Sequence, residues 1–263
     1  MQTVILIALS SIFAGIWGSL LGLGGGLILI PLLTMAFKIP IHTAIGASLV
    51  GVIATSTGSA ITYVRQGKTD IRLGMTLELA TTIGAITGAL LAGYFSSQIL
   101  YILFSVLLIY ISFTMARKKE TAATLAEEGR QAGLYKNLPV GMGASGIAGV
   151  ISGLLGVGGG IIKIPTMYVL MGVPLPIAIA TSNFMIGVTA TASAIIYFNR
   201  GDIHPLVAVP VSIGIFAGAI IGSKLSHRIP KEFLRWLFVI VAVYTSLQML
   251  FKGMGISIPF FGG

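Results

Sequence analysis

The chain has no cysteine, only three histidines and only seven acidic residues. Without thiols it can build neither disulfides nor a Cys-based metal site nor a thiol nucleophile. Histidines so few and so widely separated do not make a metal site either, and no metal or cofactor is expected. Charge is scarce altogether. Of 263 residues 9% are charged, where a soluble domain carries roughly a quarter, so there is too little polar side chain to cover a water-facing surface. The 16 Lys and Arg outnumber the acids to a formal +9, but they sit mostly in short segments between apolar runs. Orientation in a membrane explains that placement, and nucleic-acid binding is not expected.

What the chain has instead is hydrophobic length. Apolar residues make up 56% of it and the mean hydropathy is +1.00. A bilayer core takes roughly 20 apolar residues as helix. Residues 3–37, 41–64 and 98–116 carry no charge, and 73–95 carries only Glu78. In the second half, 138–171 carries only Lys163, 175–197 and 203–223 carry none, and 233–251 carries only Arg235. The first run is far too long for a cleavable signal and has no basic segment before it. The 35 glycines lie inside these runs, as they do where transmembrane helices pack closely. The composition therefore predicts an all-α polytopic membrane protein, multi-pass in the inner or plasma membrane, with the lipid bilayer as its surroundings.

The chain also repeats itself. At an offset of 134, Gly22-Leu23-Gly24-Gly25-Gly26 falls on Gly156-Val157-Gly158-Gly159-Gly160, Pro31 on Pro165, Pro40 on Pro174, Ser48 on Ser182 and Tyr63 on Tyr197. Between Gly15 and Gly67 about 21 of 53 positions are identical to their counterparts. Glycine, proline and tyrosine in one register do not follow from hydrophobicity alone. The expected organisation is a first repeat over 1–116, a basic linker over 117–137 and a second repeat over 138–263. The linker holds Arg117, Lys118, Lys119, Arg130 and Lys136 against three glutamates, which places it in the cytoplasm. The loop with Arg65, Lys68 and Arg72 lies on the same side. In the second half the basic residues shift to the next turn, around Lys224, Arg228, Lys231 and Arg235. That shift reads as an inverted repeat of about eight full helices plus two broken or re-entrant glycine-rich segments, with both termini outside.

Three adjacent glycines weaken a helix by about 1 kcal/mol each relative to alanine, so a helix arriving from Leu20 breaks and a new one begins near Leu27. From Gly26 to Lys38 a helix reaches only about 18 Å, half way across the bilayer. A break inside hydrocarbon is tolerated where it is buried in protein or lines a wet cavity. Its exposed amides, at the positive end of the new helix, suit an anion. The candidate ligands are the amides of Gly24, Gly25, Gly26, Gly158, Gly159 and Gly160, with the alternative that these glycines only pack helices together. A dinucleotide fingerprint is excluded, since no strand precedes and the spacing is wrong.

The doubled G-x-G-G-G followed five residues later by proline, in two halves joined by a basic loop, resembles the TauE/SafE family of sulfite exporters and related anion permeases. The resemblance covers nearly the whole chain. It implies passage of small sulfur-containing anions such as sulfite, thiosulfate or organosulfonates near the glycine segments. It also points to the small polar residues after the second proline of each half, here Ala47 and Ser48, and Thr181, Ser182 and Asn183. The first half departs from the pattern, with Ala47 where the second has Thr181.

Lys163 follows the second glycine run by three residues, and its counterpart is Leu29. A buried ammonium is costly and is a functional candidate by default. It can serve as countercharge for the anion, pair with Glu78, or snorkel to the interface. Glu78, six residues after Arg72, fits the membrane interface or, if buried, a proton carrier. Ser48, Ser182 and Asn183 are candidate donors to the anion. Thr55, Thr57, Ser59, Thr189, Thr191 and Ser193 read as packing, and Tyr63 and Tyr197 as interfacial anchors. The spans hold too few acids and bases for an enzyme and too few carboxylates for a cation carrier. The expected function is a gradient-driven anion transporter, coupled to H+ or Na+, with an anion channel or non-catalytic membrane subunit as the alternative. Reporter fusions within 117–137 are expected to read as cytoplasmic and fusions to either terminus as external. A cytoplasmic terminus contradicts an odd number of crossings per half.

Overall fold

The computed structural model describes residues 2–117, 137–225 and 231–256. The basic linker over 118–136, the turn at 226–230 and the tail from 257 lie outside the described residues. Ten helices occupy the rest: α1 Gln2–Leu21, α2 Gly26–Pro31, α3 Ile41–Arg65, α4 Ile71–Ala92, α5 Ser97–Arg117, α6 Leu138–Leu155, α7 Gly160–Pro165, α8 Leu175–Asn199, α9 Pro205–Leu225 and α10 Lys231–Gly253. The bounds of α3 recur in α8 displaced by 134 residues, and α2 recurs in α7 in the same way. Six helices (α1, α3, α4, α6, α8 and α9) are long and apolar enough to cross a membrane. The described apolar stretches of α5 and α10, Ser97–Phe113 and Val239–Gly253, are shorter, so the expected eight full spans reduce to six by length and composition.

The breaks fall where the glycines put them. Gly22, Gly24 and Gly25 have φ of 71°, 79° and 77°, and Gly156, Gly158 and Gly159 have 69°, 79° and 72°. A side chain is strongly disfavoured in this left-handed region, so a run of such residues turns the chain back and lets α2 and α7 start afresh. Each short helix reaches its proline and then widens into a π-turn, Leu32–Ala36 after Pro31 and Thr166–Leu170 after Pro165. Proline lacks the N–H and crowds the carbonyl four residues earlier, and a wider turn relieves that crowding. Pro40 and Pro174, extended at ψ 143° and 136°, then open α3 and α8.

The two halves are interleaved. α1 packs on α9, α4 on α6, α3 on both α8 and α9, and α5 on α10. The α4–α6 seam brings backbone against backbone: a Cβ at Gly84 would lie 2.1 Å from the Gly146 carbonyl oxygen, and one at Gly149 would lie 2.0 Å from that of Thr81. The α1–α9 seam does the same through Gly214, Gly218 and Gly222 against the carbonyls of Ala8, Ile12 and Ile16. With no hydrophobic drive between helices in lipid, such close approach is what holds them. Large apolar side chains face outward, among them Leu79, Ile83, Leu206 and Ile213 at 64–80% exposure, as lipid contact requires.

Gly84→Ala is expected to destabilise by about 1–3 kcal/mol through overpacking of the α4–α6 seam. Gly143→Ala, on the open face of α6 with nothing within 4 Å of its Cβ, is expected to be neutral or to stabilise by up to about 1 kcal/mol. Thermal unfolding in detergent separates the two.

Candidate functional site

A helix that stops inside a membrane leaves its last carbonyls without partners. Here the polar side chains of α3 and α8 supply them, each mainly to the opposite half. Ser48 Oγ donates to the Gly156 carbonyl at 2.8 Å, and Ser182 Oγ donates to the Gly22 carbonyl at 3.1 Å. Thr55 Oγ1 donates to the Gly24 carbonyl at 3.1 Å. Asn183 Nδ2 donates to the carbonyls of Ser19 and Ile179, while its Oδ1 accepts from Ser59 Oγ at 3.2 Å. Tyr63 and Tyr197 donate to the carbonyls of Ser19 and Leu154 at 3.3 and 3.2 Å. Both tyrosines are buried, at 4% and 0% exposure. They therefore cap broken helices instead of anchoring span ends at the membrane surface, because their hydroxyls reach the carbonyls that the glycine breaks release.

The breaks themselves abut. A Cβ at Gly26 would stand 2.5 Å from the Gly156 carbonyl oxygen, and one at Gly160 would stand 2.2 Å from that of Gly22. Gly24 and Gly158 both face Val52 of α3 and Ile186 of α8, positions related by the repeat. The amides opening α2, through Leu27, and α7, through Ile161, have no acceptor in a preceding turn; the carbonyls of Gly25 and Gly159 take up Ile28, Leu29, Ile162 and Lys163. Thus Gly24, Gly25, Gly26, Gly158, Gly159, Gly160, Ser48, Ser182 and Asn183 converge on one region. In this conformation its hydroxyl protons are committed to carbonyls and its glycine faces are closed by protein. An apolar cavity of about 270 Å³ lies instead between α1, α2, α5 and α10, lined by Phe13, Leu27, Ile28, Leu108 and Tyr244 among others.

Beside the α7 break the symmetry ends. Lys163 is fully buried, and its Nζ donates to Thr189 Oγ1 at 2.8 Å and to Glu78 Oε2 at 3.3 Å. Thr189 Oγ1 donates to Glu78 Oε1 at 2.5 Å, and Thr82 Oγ1 donates to the same oxygen at 3.4 Å. Glu78, 4% exposed, is enclosed by α4, α7 and α8 and is not presented at the membrane interface. Of the three placements open to Lys163 from sequence, the conformation displays pairing with Glu78. At the equivalent positions the first half has Leu29, Thr55 and the distant Ser212, so the pair has no counterpart. Thr189 is the member that sequence reasoning set aside as packing. Its signal was present: it lies one repeat after Thr55 on the helix that faces Lys163.

Fold and site define a multi-pass helical membrane protein whose interrupted helices meet in its interior. The chain belongs to the sulfite exporter TauE/SafE family, whose family model matches residues 7–249. It is 27% identical to the "Probable membrane transporter protein YunE" of Bacillus subtilis over 96% of this chain and 99% of that one. It is 29% identical to the "Probable membrane transporter protein YdhB" of the same organism over 94% and 100%. It is 27% identical to the "Probable membrane transporter protein MJ0441" of Methanocaldococcus jannaschii over 93% and 94%. No solved structure matches the chain.

Removing one partner of a buried ion pair strands the other charge. Lys163→Met or Glu78→Gln alone is expected to lower stability by about 3–5 kcal/mol, whereas the double variant is expected to stay near wild type. Thermal unfolding of the purified variants, read as a double-mutant cycle, checks the coupling.

Proposed function

We propose that the chain is a secondary transporter of the cell membrane for a small sulfur-containing anion, sulfite, thiosulfate or an organosulfonate, moved by alternating access. The anion binds near the bilayer midplane between the two glycine breaks. The observation that carries this is the direct apposition of Gly26 with Gly156 and of Gly160 with Gly22. Two helix N-termini, one from each half, are thereby brought to a common place where their amides favour negative charge. Lys163 supplies a cation one turn into α7. The family supports the sulfur-anion class.

The structure described above is the closed form of such a site. Opening separates the two breaks, frees the amides of Gly24, Gly25, Gly26, Gly158, Gly159 and Gly160, and releases Ser48, Ser182 and Asn183 from their carbonyls to the anion. An inverted relation of the halves suits this cycle. Support comes from the order of contacts between the equivalent helices α3 and α8. Ser59 meets Asn183, and Ser56 meets both Asn183 and the position of Gly187, so α8 runs opposite to α3. A standing channel needs a permanent hollow, and the closed packing of the breaks disfavours it.

Proteoliposomes holding the purified protein are expected to show saturable counterflow of sulfite or thiosulfate and none of acetate. Ser182→Ala is expected to weaken anion binding by about tenfold, the loss of one hydrogen bond to a charged group. Flux linear in concentration indicates a pore, and absence of flux of any sulfur anion overturns the proposal.

A further inference from the structure

We infer that Glu78 is an internal competitor for Lys163 and that the transporter is proton-coupled, one proton entering Glu78 for each anion that takes its place beside the ammonium. This rests on the anion-transport reading above and names its coupling ion.

The geometry is that of a replaceable partner. Lys163 Nζ stands 3.3 Å from Glu78 Oε2, longer than the 2.7–2.9 Å of a well-closed charge-assisted bond. Thr189 bridges the two, accepting from the ammonium and donating to the carboxylate. An ammonium has three donors, and among the described residues two are engaged, by Glu78 and Thr189. Lys163 is three residues beyond Gly160, so it shares the first turn of α7 with the amides of the break.

Charge balance then fixes the exchange. A buried region of this kind tolerates the ammonium only when it is neutralised. With Glu78 ionised the site is neutral, and an entering anion would bury an uncompensated negative charge. With Glu78 protonated, the ammonium is left for the anion, and with a monovalent anion the site is neutral again. Substrate and proton therefore load together and leave together. The groups facing Glu78 are Lys163 from α7, Thr189 from α8 and Thr82 from its own helix. α6, packed along α4, contributes no charged side chain, and neither does α8. Thr189 can reverse its hydrogen bond and accept from a protonated carboxyl, so the proton finds a partner without rearrangement of the backbone. Because the first half offers Leu29 and Ser212 at the equivalent places, the exchange occurs once per chain.

The test uses thiosulfate and methanesulfonate, whose own charge does not change across the range. Titration calorimetry on the purified wild-type protein is expected to show affinity falling about tenfold per pH unit on the alkaline limb. Comparison of two buffers of different ionisation heat is expected to show one proton taken up per anion bound. Glu78→Gln is expected to bind with no pH dependence, to be thermally stabilised by the anion more than wild type, and to lose acceleration of uptake by external acid. Should that variant not fold, K163M/E78Q replaces it, with weak binding that is flat in pH. Wild-type binding with a flat profile and no proton uptake overturns the coupling while leaving the anion reading standing, as does a retained slope in Glu78→Gln. Absence of binding by both anions at every pH overturns both.

Discussion

A peptide group freed from a helix inside hydrocarbon has no water to turn to, and each one left unpaired costs several kcal/mol. This chain frees such groups twice, by placing three left-handed glycines in each half, and much of the surrounding architecture answers to that. α3 and α8 run past both breaks because the released carbonyls need donors. The hydroxyls of Ser48, Thr55, Ser182, Tyr63 and Tyr197 and the amide of Asn183 are spaced along those helices to provide them. Since Ser48 serves the second half and Ser182 the first, the same bonds that satisfy the breaks also tie the halves together. Close glycine seams between α1 and α9 and between α4 and α6 hold the broken helices against unbroken ones, so the interruptions are supported on every side by rigid structure.

Buried charge obeys the same constraint as the buried peptide. An isolated ammonium at Lys163 would be far more costly than an unpaired amide, and it is held in a cluster with Glu78, Thr189 and Thr82 that satisfies both ions. Polar groups that are costly to bury and are nonetheless buried mark the places where the protein can change state, because each partner exchange there is a large energetic event. The glycine breaks and the ion pair share the first turn of α7, so movement of one is felt directly by the other.

The fold class and the repeat were legible in the sequence because both rest on patterns that burial cannot disguise: uncharged runs of bilayer length, and glycine and proline in register at 134 residues. The breaks were legible for the same reason, since no other residue substitutes for glycine at positive φ. Partner choice was not. Ser48 and Ser182 were visible as polar groups near the breaks, but nothing in their own sequence says that they reach across to a carbonyl of the other half. Glu78 lies 85 residues before Lys163, and six residues from Arg72 it reads as a surface carboxylate; only the packing of α4 on α8 turns it inward. Tyr63 and Tyr197 sit beside charged loops as interfacial anchors do, yet their rings fold back to cap α1 and α6. The span count fell short at α5 and α10, which pack chiefly on each other and whose described apolar stretches are shorter than a bilayer is thick.

The ion pair has a bearing on how the two halves are related by descent. Glu78 comes from the first and Lys163 from the second, while the sites opposite them hold Leu29 and Ser212. A tandem copy of the first half would bury two carboxylates with no cation to meet them, and a tandem copy of the second would bury two ammonium groups with no anion. Whatever ancestral unit was duplicated, neither present half can any longer stand in for the other: each has become the obligatory complement of its twin.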